Sequence, residues 1–439
     1  MAEPVPVGLW SETAPLTACI TCAPGDEFDC MAPRHIEALE ADARGRYRPN
    51  PDYLLFDDLV LLPHLQAEHA QLVDVIRAVT GRAGCLDLRS MLQRVLADAS
   101  VAATVIEEVL ELEGQCGTAK PALERARHRL RELGAAELVQ ALASGTDPET
   151  GFDLLRWPMP NWMFARDCWA VVGSGIVVGY PRLNARKRDG ILARALLRHH
   201  PRLQAAPKID VRAGTHGVSS DEGRDERCVE GGDILVVSRD LVLIGVGART
   251  TLTSALTIAQ ELRALGVRHV LGVFIPERRA TMHLDTLMTM LDEGLCLMHV
   301  PAFASYSDVA DRVRVVDLAE PERDLGCNLA GVLGEFGCQL HIVTCGDGDS
   351  RAAAREQWTD GANAFALGPG RVVLYGRNTW TLRALNRAGF EVLTPEQFVP
   401  NADLLMSGHR RVVVALTGSE LSRGRGGPRC LTLPIARAG

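Results

Sequence analysis

Short apolar strands alternate with helices along the chain beyond Pro158, and this alternation limits the fold more than any other feature. The strand patterns at residues 176–178 and 241–244 are each followed by a helical pattern, at residues 193–200 and 254–265. Such alternation indicates an α/β fold rather than an all-β fold. Short strands with glycine-rich turns fit a doubly wound sheet or a set of radially arranged small sheets, and periodicity does not choose between them. Further strands are predicted at residues 171–172, 234–237, 270–275, 371–375, 391–393 and 412–416.

The first third of the chain has a different character. Residues 16–21 (LTACIT) are short, apolar and β-branched and end before a Pro-Gly pair, so a strand is predicted there. A helical pattern starts near His64. From about residue 73 to residue 146 the chain is rich in alanine, leucine, glutamate and arginine, with apolar residues at helical spacing. This region predicts a compact module of four or five helices.

Charge and hydropathy exclude two classes of partner. Acidic residues outnumber basic residues by 55 to 47, so the chain has no polycationic character that would favour nucleic acid. No apolar run approaches the roughly 20 residues that a membrane-spanning helix needs. The N-terminal sequence MAEPVPVGLWSE has neither the basic nor the apolar region of a signal peptide. We therefore expect a cytoplasmic protein, with most of its twelve cysteines reduced.

Signatures of common cofactors are missing from the sequence. The run that begins at Gly245 lacks the third glycine of a dinucleotide fingerprint, and no phosphate-loop Gly-Lys-Ser/Thr occurs. Cys19 and Cys22 form a lone CxxC without a second pair at zinc spacing, which favours buried strand thiols over a metal site. We expect neither a metal nor an organic cofactor. The charged run at residues 219–227 predicts an exposed loop.

Two segments set carboxylates beside turns. Asp167 ends the segment PNWMFARD, where an ordinary surface Arg–Asp pair is also a sufficient explanation. Glu230 and Asp233 enclose two glycines in EGGD, directly before a predicted strand. Two glycines between two carboxylates allow a backbone to approach a ligand closely, whereas an ordinary turn needs only one. EGGD is therefore a candidate ligand-binding turn.

His283 and Asp285 lie in the segment MHLDT, which the sequence predicts to be extended. Side chains alternate along a strand, so both residues would project from the same face. A polar pair on one face of an apolar strand is a better indication of a site than either residue alone. A core histidine satisfied by an acidic partner explains the pattern equally well.

Cys430 follows three arginines in the segment RGRGGPRC. We expect a mobile glycine loop that brings this cysteine to the start of a short strand. Nearby cations lower the pKa of a thiol and so increase its thiolate fraction. Among the twelve cysteines, only Cys430 has an obviously electropositive setting, and the others are interpreted as structural.

These segments together supply the groups for covalent catalysis. Cys430 is a candidate nucleophile and His283 a candidate acid and base, a pairing typical of covalent enzymes. The carboxylates of Asp167, Glu230 and Asp285 would repel an anion and attract a cation. A planar guanidinium, with five N–H donors in a fixed fork, suits paired carboxylates.

The segments PNWMFARD, EGGD, MHLDT and RGRGGPRC occur in this order, and together they resemble the arginine deiminase family of the guanidino-modifying enzyme superfamily. The resemblance extends from Ser11 and Glu12 to the cysteine motif. It implies an α/β-propeller of five pseudo-symmetric ββαβ units around a central pocket. It also implies that residues 1–72 and 148–439 form the catalytic domain, with residues 73–147 as an inserted helical-bundle domain.

The resemblance further implies roles for individual residues and an L-arginine substrate. Cys430 would attack the guanidinium carbon, and His283 would protonate the departing ammonia and then activate a water. Glu230 would orient His283, while Asp167 and Asp285 would bind guanidinium nitrogens. The family's other substrate contacts are matched by Asn161, Arg186, Asp233, Arg249 and Arg425. We also expect a homo-oligomer that binds neither nucleic acid nor membrane.

Several alternatives stay open at this point. An amidinotransferase of the same superfamily would form the same intermediate but would pass the amidino group to an amine. A deiminase of a modified arginine would use the same residues. Agmatine is disfavoured because it lacks the carboxylate that Arg186 and Arg249 would bind. A catalytically silent arginine-binding protein is a fourth possibility, and thiol reactivity would distinguish it.

Overall fold

The computed structural model describes residues 7–42, 44–213, 227–305, 308 and 312–439. Its strands are, in chain order, β1 (Leu16–Thr21), β2 (Leu39–Ala41), β3 (Tyr47–Pro49), β4 (Cys85–Asp87), β5 (Trp169–Val172), β6 (Gly175–Val178), β7 (Lys208–Ile209), β8 (Ile234–Ser238), β9 (Leu241–Val246), β10 (His269–Phe274), β11 (Met288–Asp292), β12 (Leu295–Met298), β13 (Arg314–Asp317), β14 (Asp324–Gly326), β15 (His341–Thr344), β16 (Phe365–Gly368), β17 (Arg371–Tyr375), β18 (Phe390–Leu393), β19 (Arg411–Leu416) and β20 (Leu433–Arg437). Its α-helices are α1 (Leu62–Gly84), α2 (Leu88–Leu96), α3 (Ala99–Gln115), α4 (Lys120–Glu132), α5 (Ala135–Ser144), α6 (Asn184–His199), α7 (Leu252–Ala264), α8 (Leu329–Glu335), α9 (Ser350–Trp358), α10 (Thr379–Arg387), α11 (Pro395–Phe398) and α12 (Ala402–Ser407).

The α/β prediction is confirmed, and the strands and helices predicted beyond Pro158 are present except at residues 282–286, where the predicted extended segment contains the 3-10 turn Leu284–Thr286. The strand predicted at residues 16–21 is β1, and the helical pattern near His64 is α1. The predicted charged loop at residues 219–227 lies outside the described residues apart from Arg227.

Within the described residues, five sheets repeat one hydrogen-bonding pattern. An antiparallel pair of strands is followed, beyond a helix, by a third strand parallel to the second. In the first such unit β5 pairs antiparallel with β6, and β7 returns beyond α6 to lie parallel to β6. The same order recurs as β8–β9–α7–β10, β11–β12–α8–β15 and β16–β17–α10–β19.

The fifth unit joins the two ends of the chain. β20 pairs antiparallel with β1, where Leu16 lies opposite Arg437, and β4 returns beyond α1 to lie parallel to β1. This pairing brings the segment after Cys430 against the segment that leads to Glu12. Residues more than 400 positions apart in sequence therefore lie side by side.

Five helices, α1 to α5, occupy most of the region between β1 and β5. Asp87 and Asp98 cap α2 and α3, since their carboxylates accept backbone N–H groups of the first helical turn. Gly145 ends α5 with a φ of 78°. A side chain there would be strained, and its Cβ would lie 2.8 Å from the Trp157 carbonyl oxygen.

The core lies where sheets are covered on both faces. Val242, Leu243 and Ile244 of β9 are each 0% exposed, which explains a continuous apolar run rather than an alternating one. Burial of each such side chain contributes about 1.5–3 kcal/mol. Among the described residues, none of the helices has both the length and the apolar character needed to cross a bilayer.

Candidate active site

Two groups of buried side chains meet at one cavity. The histidine side consists of Asp167, Arg186, Glu230, Arg249 and His283. The cysteine side consists of Glu12, Asp285, Asn363, Arg429 and Cys430. Charged groups are rarely buried unless they are paired, so this concentration of buried charge marks a candidate functional site.

Short 3-10 turns position the carboxylates of the histidine side. Asp167 lies in the turn Ala165–Cys168, and Glu230 directly precedes the turn Gly231–Asp233. A Cβ on Gly231 would lie 2.2 Å from the Arg166 carbonyl oxygen, and one on Gly232 would lie 2.8 Å from the His283 ring. The two glycines of EGGD are therefore required by close approach of the protein's own atoms, and not by a ligand as the sequence suggested.

His283 has a carboxylate on each side of its ring. Its Nε2 lies 2.9 Å from Glu230 Oε2, and its Nδ1 lies 3.9 Å from Asp167 Oδ1. Burial alone would lower the pKa of His283, but the carboxylates of Asp167 and Glu230 raise it to about 9. The imidazole is therefore protonated at neutral pH and can donate a proton.

Two arginines neutralise the carboxylates of the histidine side. Arg186 Nη1 donates to Asp167 Oδ2 at 2.6 Å and to Glu230 Oε2 at 3.3 Å, while its Nε donates to Asp189 at 3.0 Å. Arg249 Nη1 donates to Glu230 Oε1 at 3.3 Å. Although burial opposes ionisation of Glu230, Arg249 and Arg186 hold its pKa below its usual value.

The histidine side also has the donor atoms of a small metal site. One ligand atom each of Asp167, Glu230 and His283 lies within 4.8 Å of the others. The guanidinium of Arg186 already lies against two of these three groups and supplies the positive charge that a cation would bring. The arrangement therefore suits a guanidinium at least as well as a metal ion.

The cysteine side holds the nucleophile candidate through its backbone. The Cys430 N–H donates to Asn363 Oδ1 at 3.1 Å, and the Asn363 amide donates to the Asp285 carbonyl at 2.9 Å. Cys430 Sγ lies 3.7 Å from Asp285 Oδ2, and Arg429 Nη1 donates to that same oxygen at 2.8 Å. Arg429 Nη2 also donates to Glu12 Oε1 at 2.8 Å.

The prediction that cations lower the pKa of the Cys430 thiol is wrong. Burial and the carboxylates of Asp285 and Asp167 raise this pKa well above the ordinary value, and Arg429 offsets only part of the effect. The other two arginines of the loop have other partners, although Arg425 also lines the cavity. Arg423 pairs with Asp58, and the Arg425 guanidinium lies 3.6 Å over the Trp358 ring.

The glycine loop before Cys430 is buried rather than exposed. A Cβ on Gly426 would lie 2.3 Å from the Phe164 ring, so the loop packs tightly against the PNWMFARD segment. The carboxylate of Glu68, from α1, accepts three consecutive backbone N–H groups of the loop at 2.8–3.0 Å, from Ser419, Glu420 and Leu421. These contacts fix the loop to the rest of the fold.

The prediction that His283 and Asp285 share one face of a strand is also wrong. His283 is extended, but Leu284–Thr286 forms a 3-10 turn, closed when the N–H and hydroxyl of Thr286 donate to the His283 carbonyl. The turn directs His283 towards Glu230 and Asp285 towards Cys430. The two residues therefore belong to opposite sides of the site.

The cavity between the two sides measures about 20 Å³. Four of the predicted substrate contacts line it: Asn161, Arg186, Arg249 and Arg425. Asp233 does not line it. Its Oδ2 accepts from the Thr250 hydroxyl at 2.6 Å and its Oδ1 from the Leu284 N–H at 2.9 Å, so its oxygens hold the backbone behind His283.

Three residues of the site were not singled out from the sequence. Arg429 stands next to Cys430, so its position in the motif could have indicated it. Glu12 and Asn363 carry no local pattern, because each reaches the cysteine through a contact between distant parts of the chain. Only the fold reveals them.

A solved structure has a fold similar to that of this chain. An amidinotransferase from Microseira wollei, of the saxitoxin biosynthetic pathway, superposes with a TM-score of 0.52 at 12% identity, over 99% of this chain and 98% of that one. At this identity the likeness concerns the fold alone. The fold class is therefore α/β.

The sequence comparisons identify the family within this class. The sequence model of the arginine deiminase family matches residues 52–437, and the chain belongs to that family. The arginine deiminase of Bacillus cytotoxicus is 30% identical over 456 residues, which cover 98% of each chain. The arginine deiminase of Listeria innocua is 30% identical over 455 residues, again with 98% coverage of both chains.

Proposed function

We propose that the protein hydrolyses the guanidinium group of L-arginine to L-citrulline and ammonia through a covalent thiouronium intermediate on Cys430. One observation carries the proposal: a single buried cavity is lined by Cys430, His283 and Asp167 in a chain of the arginine deiminase family. Relatives with this name match almost the whole length of the chain.

Asp167 and Asp285 would bind the guanidinium nitrogens of the substrate. Asp167 already accepts a guanidinium N–H, from Arg186 at 2.6 Å. A cavity of about 20 Å³ has room for little more than one water molecule. Substrate entry therefore requires that Arg186 leave Asp167, and the substrate would take over the same carboxylate with the same chemistry.

The reaction then proceeds in two steps. Cys430 Sγ forms a bond to the guanidinium carbon, and the bond from that carbon to a terminal nitrogen breaks as His283 protonates the leaving ammonia. The histidine, now neutral, takes a proton from water. The resulting hydroxide adds to the carbon, the C–S bond breaks, and citrulline is released with the thiol restored. Orientation by the carboxylates matters because a guanidinium carbon is a poor electrophile.

Substrate binding would also ionise the nucleophile. In the free protein, burial and the carboxylates of Asp285 and Asp167 raise the pKa of the Cys430 thiol, so the thiolate is scarce. A guanidinium placed between the thiol and these carboxylates adds a positive charge beside Sγ and lowers that pKa. The thiolate would therefore form mainly when substrate is present.

The remaining polar residues would bind the amino-acid part of the substrate. Arg186, once released from Asp167, and Arg249 would bind its carboxylate, since an arginine fork matches a carboxylate in geometry. Asn161 and Arg425 would supply further contacts. We assign Asp233 a positioning role, because its oxygens are already bonded to Thr250 and Leu284.

We also propose that the five repeated strand units form a five-bladed α/β-propeller around this cavity. The shared ββαβ order and the closing of the fifth unit by β20 and β1 support this arrangement. Residues 1–72 and 148–439 would form this catalytic domain, and residues 73–147 would form the inserted helical-bundle domain. The homo-oligomeric state, the absence of nucleic-acid partners and the cytoplasmic location stay predictions.

A product assay tests the proposal against its alternatives. Purified protein would be incubated with L-arginine, with and without a primary amine, and compared with Cys430→Ala. We expect equimolar citrulline and ammonia in both reactions, and a loss on the order of 10⁴-fold or more in the variant. Ornithine with a new guanidino product only in the presence of amine would instead establish an amidinotransferase, the named activity of the structure similar in fold.

A further inference from the structure

A second cavity, of about 330 Å³, lies between α3 and α6 and is lined by side chains of both helices. Lys187, Arg194 and Arg198 of α6 line one wall. They are seven and four residues apart, which sets them on one face of the helix. Glu108 and Glu111 of α3 line the opposite wall. The volume is that of a pocket for a small molecule.

Two of these cations form no close ion pair within the described residues, although the Glu108 carboxylate lies near enough to Arg194 to act on its charge. Arg198 pairs with Glu108 at 3.5 Å. Neither Lys187 nor Arg194 forms a hydrogen bond or an ion pair with any described residue, although both are half-buried. The Arg194 guanidinium instead lies 5.2 Å from the centre of the Tyr180 ring, where it is held facing the cavity. Half-buried cations without partners favour the binding of an anion.

The same helix reaches the proposed active site. Arg186, which precedes Lys187, projects from another side of α6 and donates to Asp167. Arg188, which follows Lys187, is buried and donates to Glu113 of α3 at 3.1 Å. This pair fixes α3 to α6 at the residue next to Lys187. A ligand that draws Lys187 and Arg194 together would therefore act on the helix that carries Arg186.

We propose that this cavity binds a phosphate group, either free or carried by a small metabolite. A phosphate presents several oxygens to the Arg194 fork and the Lys187 ammonium, and it carries a charge of about −1.5 to −2 at neutral pH. Lys187 and Arg194 would supply the opposite charge, and the carboxylates of Glu108 and Glu111 stand on the far wall of the cavity. Bound phosphate would alter the hold of Arg186 on Asp167 and so change KM for arginine, an effect that rests on the proposed function.

Direct titration tests the binding without any substrate. Inorganic phosphate and glycerol phosphate would be titrated separately into the full-length protein by calorimetry, at fixed pH and ionic strength. We expect saturable binding that weakens at least about tenfold in Lys187→Gln/Arg194→Gln, because both charge-assisted contacts are lost. Tighter binding of glycerol phosphate would indicate a metabolite, and tighter binding of inorganic phosphate would indicate the free ion.

Two control variants keep the test specific. Arg383→Gln removes an exposed arginine that also stacks on an aromatic ring, that of Trp380 at 4.8 Å, and should bind phosphate as the wild type does. Arg194→Lys keeps the charge and should retain most of the affinity. Absence of saturable binding, or equal affinity in the double variant, would overturn the proposal. Saturable binding with an unchanged KM would overturn its coupling to the active site.

Discussion

The two sides of the cavity use buried charge in opposite ways. On the histidine side, Arg186 and Arg249 keep Glu230 ionised, and carboxylates raise the pKa of His283 to about 9. The proton donor, His283, is therefore already protonated before the substrate binds. On the cysteine side, Arg429 lies beside Asp285, yet burial and carboxylates still raise the pKa of the thiol. The nucleophile is therefore uncharged before substrate arrives.

The comparison shows that the protonation of His283 and that of the Cys430 thiol respond to different nearest carboxylates. A histidine and a cysteine that shared one proton would titrate as a pair. Here each group has a nearest carboxylate of its own, Glu230 beside His283 and Asp285 beside Cys430, whereas the Asp167 carboxylate raises the pKa of both groups. On the cysteine side, a cationic substrate would supply positive charge beside Cys430. On the histidine side, it would displace Arg186 from Asp167.

Of the following variants, Glu230→Gln should produce the largest effect on turnover. Loss of the carboxylate removes the partner of His283, so we expect kcat to fall on the order of 10²- to 10⁴-fold. Because the negative charge of Glu230 raises the pKa of His283 in the free protein, the basic limb of the kcat/KM profile should move from near pH 9 to lower pH. Activity measured from acidic to strongly basic pH would reveal this shift.

Asp189→Asn is the matched control for that experiment. Asp189 is a buried carboxylate that accepts from Arg186 at 3.0 Å, and its described hydrogen bonds do not include His283. The basic limb of the pH profile of Asp189→Asn should lie at the same pH as that of the wild type. A basic limb that moved equally in both variants would contradict the assignment of His283 to Glu230.

Asp285→Asn should separate thiol reactivity from turnover. Removal of this negative charge lowers the pKa of the Cys430 thiol, so alkylation of Cys430 by iodoacetamide at pH 7 should become faster. Turnover should fall by roughly 10²- to 10³-fold, because a group that binds the substrate cation is lost. Peptide mass spectrometry would follow Cys430 among the twelve cysteines.

Asp58→Asn changes an exposed carboxylate of an arginine pair and serves as the comparison. It should alter neither the rate of alkylation nor turnover. If Asp285→Asn instead slowed alkylation, the raised thiol pKa could not originate from that carboxylate.

Glu12→Gln should have the smallest catalytic effect but a measurable cost in stability. Arg429 is 1% exposed, so loss of a charged partner should lower the free energy of unfolding by about 3–5 kcal/mol. Glu40→Gln, which changes an exposed pair with Arg48 at 2.8 Å, should cost about 1 kcal/mol or less. Urea denaturation would compare the two variants with wild type.

The contribution of Glu12 to stability should also depend on pH. Burial alone would raise the pKa of Glu12, but Arg429 and Arg166 hold it at about 2. A lowered pKa stabilises the fold above the unfolded value of about 4.3, and the contribution is lost as pH falls towards 2. The wild type should therefore lose more stability over this range than Glu12→Gln does. Equal losses of stability in the two proteins would exclude Glu12 as the source of this pH dependence.

The sequence predicts the site in part, because three of the four motifs contribute residues that line the cavity, whereas Arg186 and Arg249 line it from outside the motifs. Order and composition of the motifs identify Cys430, His283 and Asp167. The contact between Glu12 and Arg429 spans 417 positions, and no local pattern encodes such a contact. The ββαβ repetition was likewise hidden, because it lies in strand pairing and not in amino-acid identity.

Two local predictions failed for physical reasons that the sequence does not display. The arginines near Cys430 in sequence predict an electropositive setting, whereas its nearest charged partner in the fold is a carboxylate from another segment. The strand predicted through His283 is replaced by a turn, because Thr286 donates two hydrogen bonds to the His283 carbonyl. The hydrogen bonds of the turn therefore determine the local structure here, and the alternation of side chains in the sequence does not.

Trapping of the intermediate tests the central claim most directly. Arginine with radiolabelled carbon in its guanidino group and tritium in its side chain would be mixed with the protein and quenched with acid during turnover. The account predicts both labels on the peptide that contains Cys430, because the deiminase intermediate loses only ammonia. The guanidino label alone on that peptide would indicate amidino transfer, and a Cys430 peptide without label would contradict covalent catalysis by this residue.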